Sequence, residues 1–354
     1  MTLISKYFKN KKSIPIDQFF EDVLYNDKHG YYSKKFPFGE KGDFITAPSI
    51  SPLFGEMLSI WIVAYWESLS KPKNFNIVEL GPGSGVLSKI LIQTFKAFPE
   101  FDKTYGIYLY EKSKYLQKVQ KKNINSKKIK WINNFDKIEK GPLLFFGNEF
   151  FDAIPIKQLV RKKGNLYEYH VYLDKDKNVK KKLIKASYHD INALKKINIF
   201  NHLKFIEYPK LGLNLIDKMI YKVKEQGGGI LLIDYGYVKQ TGIDTLQSVK
   251  SHKKNNIFSN LGEADVTSLV NFEILKNFFI KKKIYVENIV SQSFFLKRTG
   301  ILERAEILSS KMSFKEKADL FNRLERLLNY KYMGSLFKVI FAHKNKSKSV
   351  LGFQ

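Results

Sequence analysis

One stretch constrains this chain more than any other: Phe75-Asn-Ile-Val-Glu-Leu-Gly-Pro-Gly-Ser-Gly85-Val-Leu, an apolar run that enters a glycine-rich turn and leaves it as an amphipathic helix. Phe75 to Leu80 reads as a buried parallel strand, and Leu87, Ile90, Leu91 and Phe95 recur at helical spacing after the turn. Strand, turn and helix in this order form a cradle for a nucleotide-type cofactor. Gly81, Gly83 and Gly85, with Pro82 and Ser84 between them, let the backbone come close to a ligand, and the new helix aims its first N–H groups at it. A dinucleotide fingerprint, G-x-G-x-x-G, needs its third glycine where Val86 stands. Glu79, two residues before the first glycine, suits S-adenosyl-L-methionine (SAM) instead, whose ammonium and sulfonium groups call for a carboxylate. The alternative is a glycine turn that only closes a strand–helix unit.

Composition narrows the chemistry. There is no cysteine, which excludes disulfides, thiolate zinc sites and a cysteine nucleophile together. Six scattered histidines without an H-E-x-x-H pattern give no reason to expect a metal. No apolar run approaches the roughly 20 residues of a membrane span, and Met1 to Lys12 lacks the apolar centre of a secretory signal, so a soluble intracellular protein is expected. A formal charge of +27 ordinarily points to nucleic acid. Here only five of the 61 basic residues are arginine, and Asn, Ile, Phe and Tyr, which AT-rich codons also encode, are abundant. Genome bias therefore accounts for much of the lysine excess, Lys180 to Lys182 and Lys281 to Lys283 read as solvated faces, and nucleic acid is not the expected partner.

Around the glycine turn the chain reads as alternating strands and helices. Ile16 to Leu24 has the spacing of a short helix, broken by His29-Gly-Tyr-Tyr32. Phe36 to Pro48 is dense in glycine and proline yet carries three phenylalanines and an isoleucine, so it is expected to be a loop that closes over the site, hinged at Gly39 and Gly42 and carrying Asp43. Leu53 to Trp66 gives a helix beneath it. Tyr105 to Tyr110 is a second strand ending at Glu111, where a carboxylate reaches the cofactor ribose in doubly wound sheets. Glu111 lies 28 residues past Gly83, against about 20 in that pattern, the surplus falling in a longer helix and the Phe98-Pro-Glu-Phe loop. A carboxylate that only caps the helix from Ser113 is the alternative. Ile129 to Ile132 is a short third strand, with Asn133 or Asn134 facing the adenine.

Leu143 to Phe146 is a fourth strand that opens into Gly147-Asn148-Glu149-Phe150-Phe151-Asp152-Ala-Ile-Pro155, the expected chemical site: an amide, two acids and two aromatics at a strand's carboxyl end. A hairpin about Lys162 to Asn165 follows, then a lysine-rich edge strand or loose segment to Lys185 and a helix over Leu211 to Glu225. Gly227 to Gly236 holds a fifth strand ending at Asp234. Beyond a long polar connection come a helix over Val270 to Phe279, a strand over Ile284 to Val290, helices over Arg298 to Ser309 and Phe314 to Leu328, and a last strand over Leu336 to Phe341. A frayed polar tail is expected from Lys344.

These residues bring a family into view. Gly30-Tyr-Tyr, Gly42-Asp-Phe-Ile-Thr-Ala-Pro, Phe54-Gly-Glu, Glu79-Leu-Gly-Pro-Gly-Ser-Gly, Asn148-Glu-Phe-Phe-Asp-Ala-Ile-Pro, Leu232-Ile-Asp-Tyr-Gly-Tyr, Asp244-Thr-Leu-Gln, Gly262-Glu-Ala-Asp and Met333-Gly-Ser-Leu-Phe-Lys occur in order. Over about Ile14 to His343 the chain resembles the MidA family, the mitochondrial complex I assembly factor methyltransferases. The resemblance implies an α/β, Rossmann-like class I SAM-dependent methyltransferase fold, a mainly parallel seven-stranded sheet with an inserted hairpin and helical additions. It also implies protein-arginine N-methylation, symmetric dimethylation included, of a respiratory complex I subunit. The compartment would be the cytoplasm of a bacterium or the mitochondrial matrix of a eukaryote. The expected organisation is a helical and loop cap over 1–72, a methyltransferase domain over 73–343 with insertions near 158–210 and 237–266, and a tail over 344–354. Where the family commonly has an acid after Thr-Ala-Pro and a glutamine before Phe-Gly-Glu, this chain has Ser49 and Pro52.

An arginine side chain stays protonated at physiological pH, so a nitrogen must be oriented and its charge held before it attacks a sulfonium methyl. A carboxylate does both by bidentate pairing. Glu149 is the first choice, then Asp152, with Asp43 and Asp234 as further candidates; Glu79, the residues 81–85, Glu111, Asn148 and Thr46 are expected to bind SAM. The rivals are a SAM-dependent nucleic-acid methyltransferase, for which an Asn/Asp-Pro-Pro-Tyr motif is missing, and an assembly chaperone that binds SAM without turning it over.

Overall fold

Phe75–Leu80 (β1) is buried at all six positions, as a parallel strand with helices on both faces must be. The structure, a computed structural model, describes residues 5–8, 11–34, 46–197, 203–239, 242–344 and 350–354. Asp43 and positions 36–45 of the expected closing loop lie outside the described residues. The main sheet continues with Tyr105–Tyr110 (β2), Ile129–Ile132 (β3), Leu143–Asn148 (β4), Gly228–Tyr237 (β5), Tyr285–Val286 (β6) and Phe337–His343 (β7). Its path runs β6-β7-β5-β4-β1-β2-β3. β1 to β5 are parallel neighbours, while β7 runs antiparallel to β5 and β6. Two short pieces, Val270–Asn271 and Val290–Ser291, also join, so among the described residues this sheet has nine strands. The chain order reverses between β1 and β4, and in such sheets ligands bind outside the carboxyl ends at that point.

Alternation along the strands feeds two cores. Ile77, Leu144 and Ile233 face a layer containing Pro52–Ser68 and Val86–Phe95, while Val78, Phe145 and Leu232 face one containing Lys210–Gln226 and Phe272–Lys281. The helix Pro52–Ser68 is apolar nearly all round because the sheet and the C-terminal helices both cover it. Pro52, the departure from the family pattern, opens that helix behind Ser51, whose hydroxyl accepts the Leu53 N–H at 3.3 Å. Glu56 docks the C-terminal helices by pairing with Arg304 at 2.7 Å.

A second sheet stands beside the first. Lys157–Lys162, Asn165–Leu173, Val179–Lys185 and Phe205–Tyr208 form it together with Ile14–Pro15 from the N-terminus. Lys163 and Gly164 turn its hairpin with positive φ, and the lysine-rich Val179–Lys185 is its edge strand. The connection after Asp234 contains a third sheet, Gln247–Lys250, Lys253–Asn255 and Asp265–Thr267. Phe19, Phe20, Val23 and Tyr31 of the N-terminal region pack with Val171, Leu261 and Val266, which joins the three parts into one cluster.

Several expectations are corrected. The tail is not frayed at its end: Val350 and Phe353 are buried, and the Trp61 indole N–H donates to the Leu351 carbonyl at 2.9 Å. The expected strand over Ile284 to Val290 is two separate two-residue strands. The expected helix from Arg298 is two helices, Gln292–Arg298 and Ile301–Ser309, because Gly300 sits between them at φ +93°. Among the described residues no helix is long and apolar enough to cross a membrane.

Candidate active site

A cavity of about 470 Å³ opens over the carboxyl ends of β1, β2 and β4. Its floor is Glu79, Gly81 to Ser84, Glu111, Asn148, Glu149 and Phe150. Tyr25, Tyr32, Thr46 and Pro48 wall it from the N-terminal region, and Leu211, Asn214, Leu215 and Lys218 from the helix before β5. Two stretches separated by more than sixty positions are thereby brought side by side, the glycine turn and the Asn148 to Pro155 segment.

The glycine turn is tight against its neighbours. Gly81 has φ +60°, and a Cβ there would lie 2.6 Å from the Phe150 ring; Gly85, at φ +81°, would place one 2.6 Å from Ile124. Only glycine lets the backbone pass this close while leaving the cavity open. Glu79 is 3 % exposed and accepts the Ser88 hydroxyl. Burial pushes it up to about 7, with the Glu111 charge adding and Ser88 opposing. Glu111 accepts the Ser113 N–H at 2.8 Å and the Gln120 amide at 3.2 Å, and burial pushes it up to about 7 against those donors. The helix start at Ser113 is capped by its own hydroxyl, which accepts the Leu116 N–H at 3.1 Å. Thr46 stands just before the short helix Ala47–Ile50, its hydroxyl 3.2 Å from that of Ser49.

Glu149 sits at φ +52°, a left-handed conformation seldom taken by residues with a side chain. Its Oε1 accepts the Ala47 N–H and the Asn148 amide, each at 3.2 Å, while the residue keeps a window onto the cavity. Burial on its other sides pushes it up to about 8, and the Asp152 charge adds to this. Asp152 is buried behind the floor, pushed up to about 6 by burial against a hydrogen bond from Tyr235. Among the described residues, Asn148 Oδ1 and Asp152 Oδ1 are buried without a hydrogen-bond partner.

Asp234 does not line the cavity. Its Oδ2 accepts the N–H groups of Phe150, Phe151 and Asp152 at 3.1, 2.8 and 3.2 Å, and its Oδ1 that of Tyr235 at 2.9 Å. Burial and the Asp152 and Glu149 charges push it well up, against these amide donors, which favour its ionised form. Asn133 and Asn134 do not line the cavity either, and Asn134 instead accepts the Asp136 N–H at 3.2 Å.

Three residues at this site escape sequence reasoning. Gln120 is fully buried, donates to the Gly83 carbonyl at 2.9 Å as well as to Glu111, and accepts the Trp131 indole N–H at 2.9 Å. Tyr25 and Tyr32 stack at 5.3 Å and 17°, with their hydroxyls donating at 2.9 Å to the Ala153 carbonyl and to Asp265. Burial, with the Asp265 charge, pushes both phenols well above their ordinary range, so they stay neutral donors. The usable signal for Tyr32 was its place in the Gly30-Tyr-Tyr motif, whose partner is the Gly262-Glu-Ala-Asp motif far along the chain.

Residues 57–289 match the model of a family described as "Putative S-adenosyl-L-methionine-dependent methyltransferase". The chain is 28 % identical over 358 residues to the protein arginine methyltransferase NDUFAF7, mitochondrial, of Xenopus tropicalis, covering 94 % of this chain and 83 % of that one. It is likewise 28 % identical to the human protein of the same name, covering 93 % and 80 %. A COG1565 superfamily member from Burkholderia thailandensis, crystallised with S-adenosyl-homocysteine, shares the fold at a TM-score of 0.82 and 22 % identity, covering 99 % of this chain and 92 % of that one.

Proposed function

Because the chain belongs to this SAM-dependent methyltransferase family, of the MidA type, we propose that it methylates an arginine nitrogen of a protein substrate. The observation that carries the specificity is a pair of acids at the end of β4 that the cavity's lysines, Lys112 and Lys218, leave without a salt bridge. Glu149 and Asp152 stand together at the end of β4, no lysine or arginine of the described residues pairs with either, and among those residues Asn148 Oδ1 and Asp152 Oδ1 are acceptors without donors. Such a site calls for a cation with several N–H groups, and a guanidinium supplies five in one plane. The names of the relatives, arginine methyltransferases, support the same class.

The residues present fit SAM, since glycine at 81 keeps the turn closely packed on Phe150 beside an open cavity, and no lysine or arginine of the described residues forms a salt bridge with Glu79 or Glu111 there. Glu79, Gly81, Pro82, Gly83, Ser84, Gly85, Glu111, Asn148 and Thr46 would hold it. SAM supplies an electrophilic methyl group on its sulfonium. Glu149 holds the guanidinium through the oxygen facing the cavity and turns one nitrogen toward the methyl carbon. That nitrogen gains a carbon and must lose a proton, and a carboxylate whose proton affinity burial has raised is a competent acceptor. Tyr25 and Tyr32 wall the approach and keep water from it. The MidA resemblance extends the proposal to a complex I subunit as acceptor, to symmetric dimethylation, and to the mitochondrial matrix or a bacterial cytoplasm.

The test is transfer of tritium from labelled SAM to protein in host lysate, followed by mass spectrometry of the labelled band. Methylarginine is expected, and Glu149→Gln should lower its formation at least tenfold. Label on lysine or on nucleic acid, or none at all, would overturn the proposal.

A further inference from the structure

Asp234 stood among the candidate acids, yet the structure keeps it out of the cavity and gives it another set of contacts. β5 lies parallel to β4 with Ile233 opposite Asn148, and the last bond between them is the Glu149 N–H to the Ile233 carbonyl at 2.9 Å. One residue further along β5, the Asp234 side chain therefore meets the chain where it leaves β4. There the backbone reverses at Glu149, φ +52°, and the next three N–H groups converge on Asp234 Oδ2. The second oxygen is fixed by the Tyr235 N–H. Both carboxylate oxygens are thus occupied by main chain, and Asp234 is 2 % exposed.

Successive N–H groups that point one way form a concavity for an anion. In this fold the anion is a side chain from the neighbouring strand, and the residue just before the concavity is Glu149. A glutamate has no intrinsic preference for a left-handed conformation, so it is kept there only where surrounding contacts over-determine it. We propose that Asp234 is a positioning residue: by gathering the amides of residues 150 to 152 it holds the turn that keeps Glu149 left-handed and facing the cavity. The proposal rests on the role given above to Glu149 and assigns Asp234 no contact with the acceptor. It also accounts for an aspartate at this place. An asparagine of equal size must aim its NH₂ group either at the three amides or at the Tyr235 N–H, donor against donor in both cases.

The experiment compares Asp234→Asn, Glu149→Gln and the double variant in the full-length protein. Initial rates of tritium transfer to host-lysate protein are measured against SAM concentration, and amide hydrogen exchange is followed over β4, the turn and β5. Asp234→Asn should lower Vmax at least tenfold and leave KM for SAM within twofold. In the double variant Vmax should stay within about twofold of Glu149→Gln alone, because a residue that acts through Glu149 has nothing left to act on. Exchange at 150 to 152 should quicken at least tenfold while the inner amides of β4 and β5 keep their protection. Wild-type Vmax in Asp234→Asn, multiplicative losses in the double variant, or unchanged exchange of the three amides would each overturn the proposal. Should the asparagine variant not fold, Asp234→Ser, which reaches one amide at most, is judged by the same criteria. Wild-type Vmax in Glu149→Gln would overturn the role of Glu149 and not the clamp, which the exchange of the three amides decides by itself.

Discussion

At the residue scale the site divides into what short motifs announce and what only folding brings together. Glu79, Gly81 to Ser84, Glu111, Asn148 and Glu149 all line the cavity, and each was legible because its chemistry is local: a carboxylate, an amide or a glycine turn at the carboxyl end of an apolar run. Gly81→Ala tests that logic at its tightest point. The methyl group meets the Phe150 ring at 2.6 Å and the backbone must hold φ +60°, so SAM affinity should fall at least tenfold by calorimetry in a variant with native circular dichroism. Gln120 was not legible, since a glutamine on a lysine-rich helix looks like any solvated side chain until Gly83, Glu111 and Trp131 arrive from three other segments. Gln120→Ala removes the amide contact of the Gly83 carbonyl and of the Trp131 indole N–H and leaves Glu111 with the Ser113 N–H. It should cost about 1–3 kcal/mol in urea unfolding for a buried group left unpaired and weaken SAM binding as well. Unchanged stability and affinity would remove Gln120 from the site.

At the element scale the strands and helices of the main sheet were read well because they carry long apolar periods, whereas the second sheet was read only as a hairpin with an edge strand or loose segment after it. Ile14–Pro15 and Phe205–Tyr208 complete that sheet, and two- and four-residue strands carry too little pattern to be recognised. What anchors the sheet was equally hidden. Lys157, on its first hairpin strand, is 5 % exposed and lies against Glu168, 3.7 Å from Asp17 and 3.6 Å from Asp190, which Lys210 also contacts at 2.7 Å. Burial pushes the lysine down, but the charges of Asp17, Glu168 and Asp190 outweigh it and the net shift is upward. One ammonium therefore ties the N-terminal helix Ile16–Tyr25, the second sheet and the helix Tyr188–Ile197 together. Lys157→Ala leaves three buried acids with less compensation and should destabilise by about 3–5 kcal/mol. Removing Glu168 alongside it, as Glu168→Leu with Lys157→Met, should recover part of that loss by replacing charge with packing. Equal urea midpoints for wild type and Lys157→Ala would show that the cluster holds nothing.

At the scale of the whole molecule the acids of the site set how stability depends on pH. Burial raises Glu79 and Glu111 to about 7, Glu149 to about 8 and Asp152 to about 6, all above the values of an unfolded chain. Over that interval the folded protein holds protons that the unfolded chain has released. Stability from these groups is thus complete below about pH 4 and is lost as pH rises through their folded values, on the order of 1.4 kcal/mol per pH unit for each such proton. Carboxylates shifted the other way, Asp190 among them, titrate below this interval. His170, pushed down by burial and by the Lys157 and Lys182 charges, loses its contribution only as pH falls below about 6.5. Between pH 6.5 and 8.5 the site acids therefore dominate, and the Tm of the ligand-free protein should fall steadily. SAM brings cations to the same acids, so its binding should release protons and tighten as pH rises. Calorimetric titrations in two buffers of different ionisation enthalpy measure that release directly. A Tm that rises from pH 6.5 to 8.5, or SAM binding that takes up protons, would mean that these carboxyls are already ionised in the empty site and that the cavity does not store charge for a cationic guest.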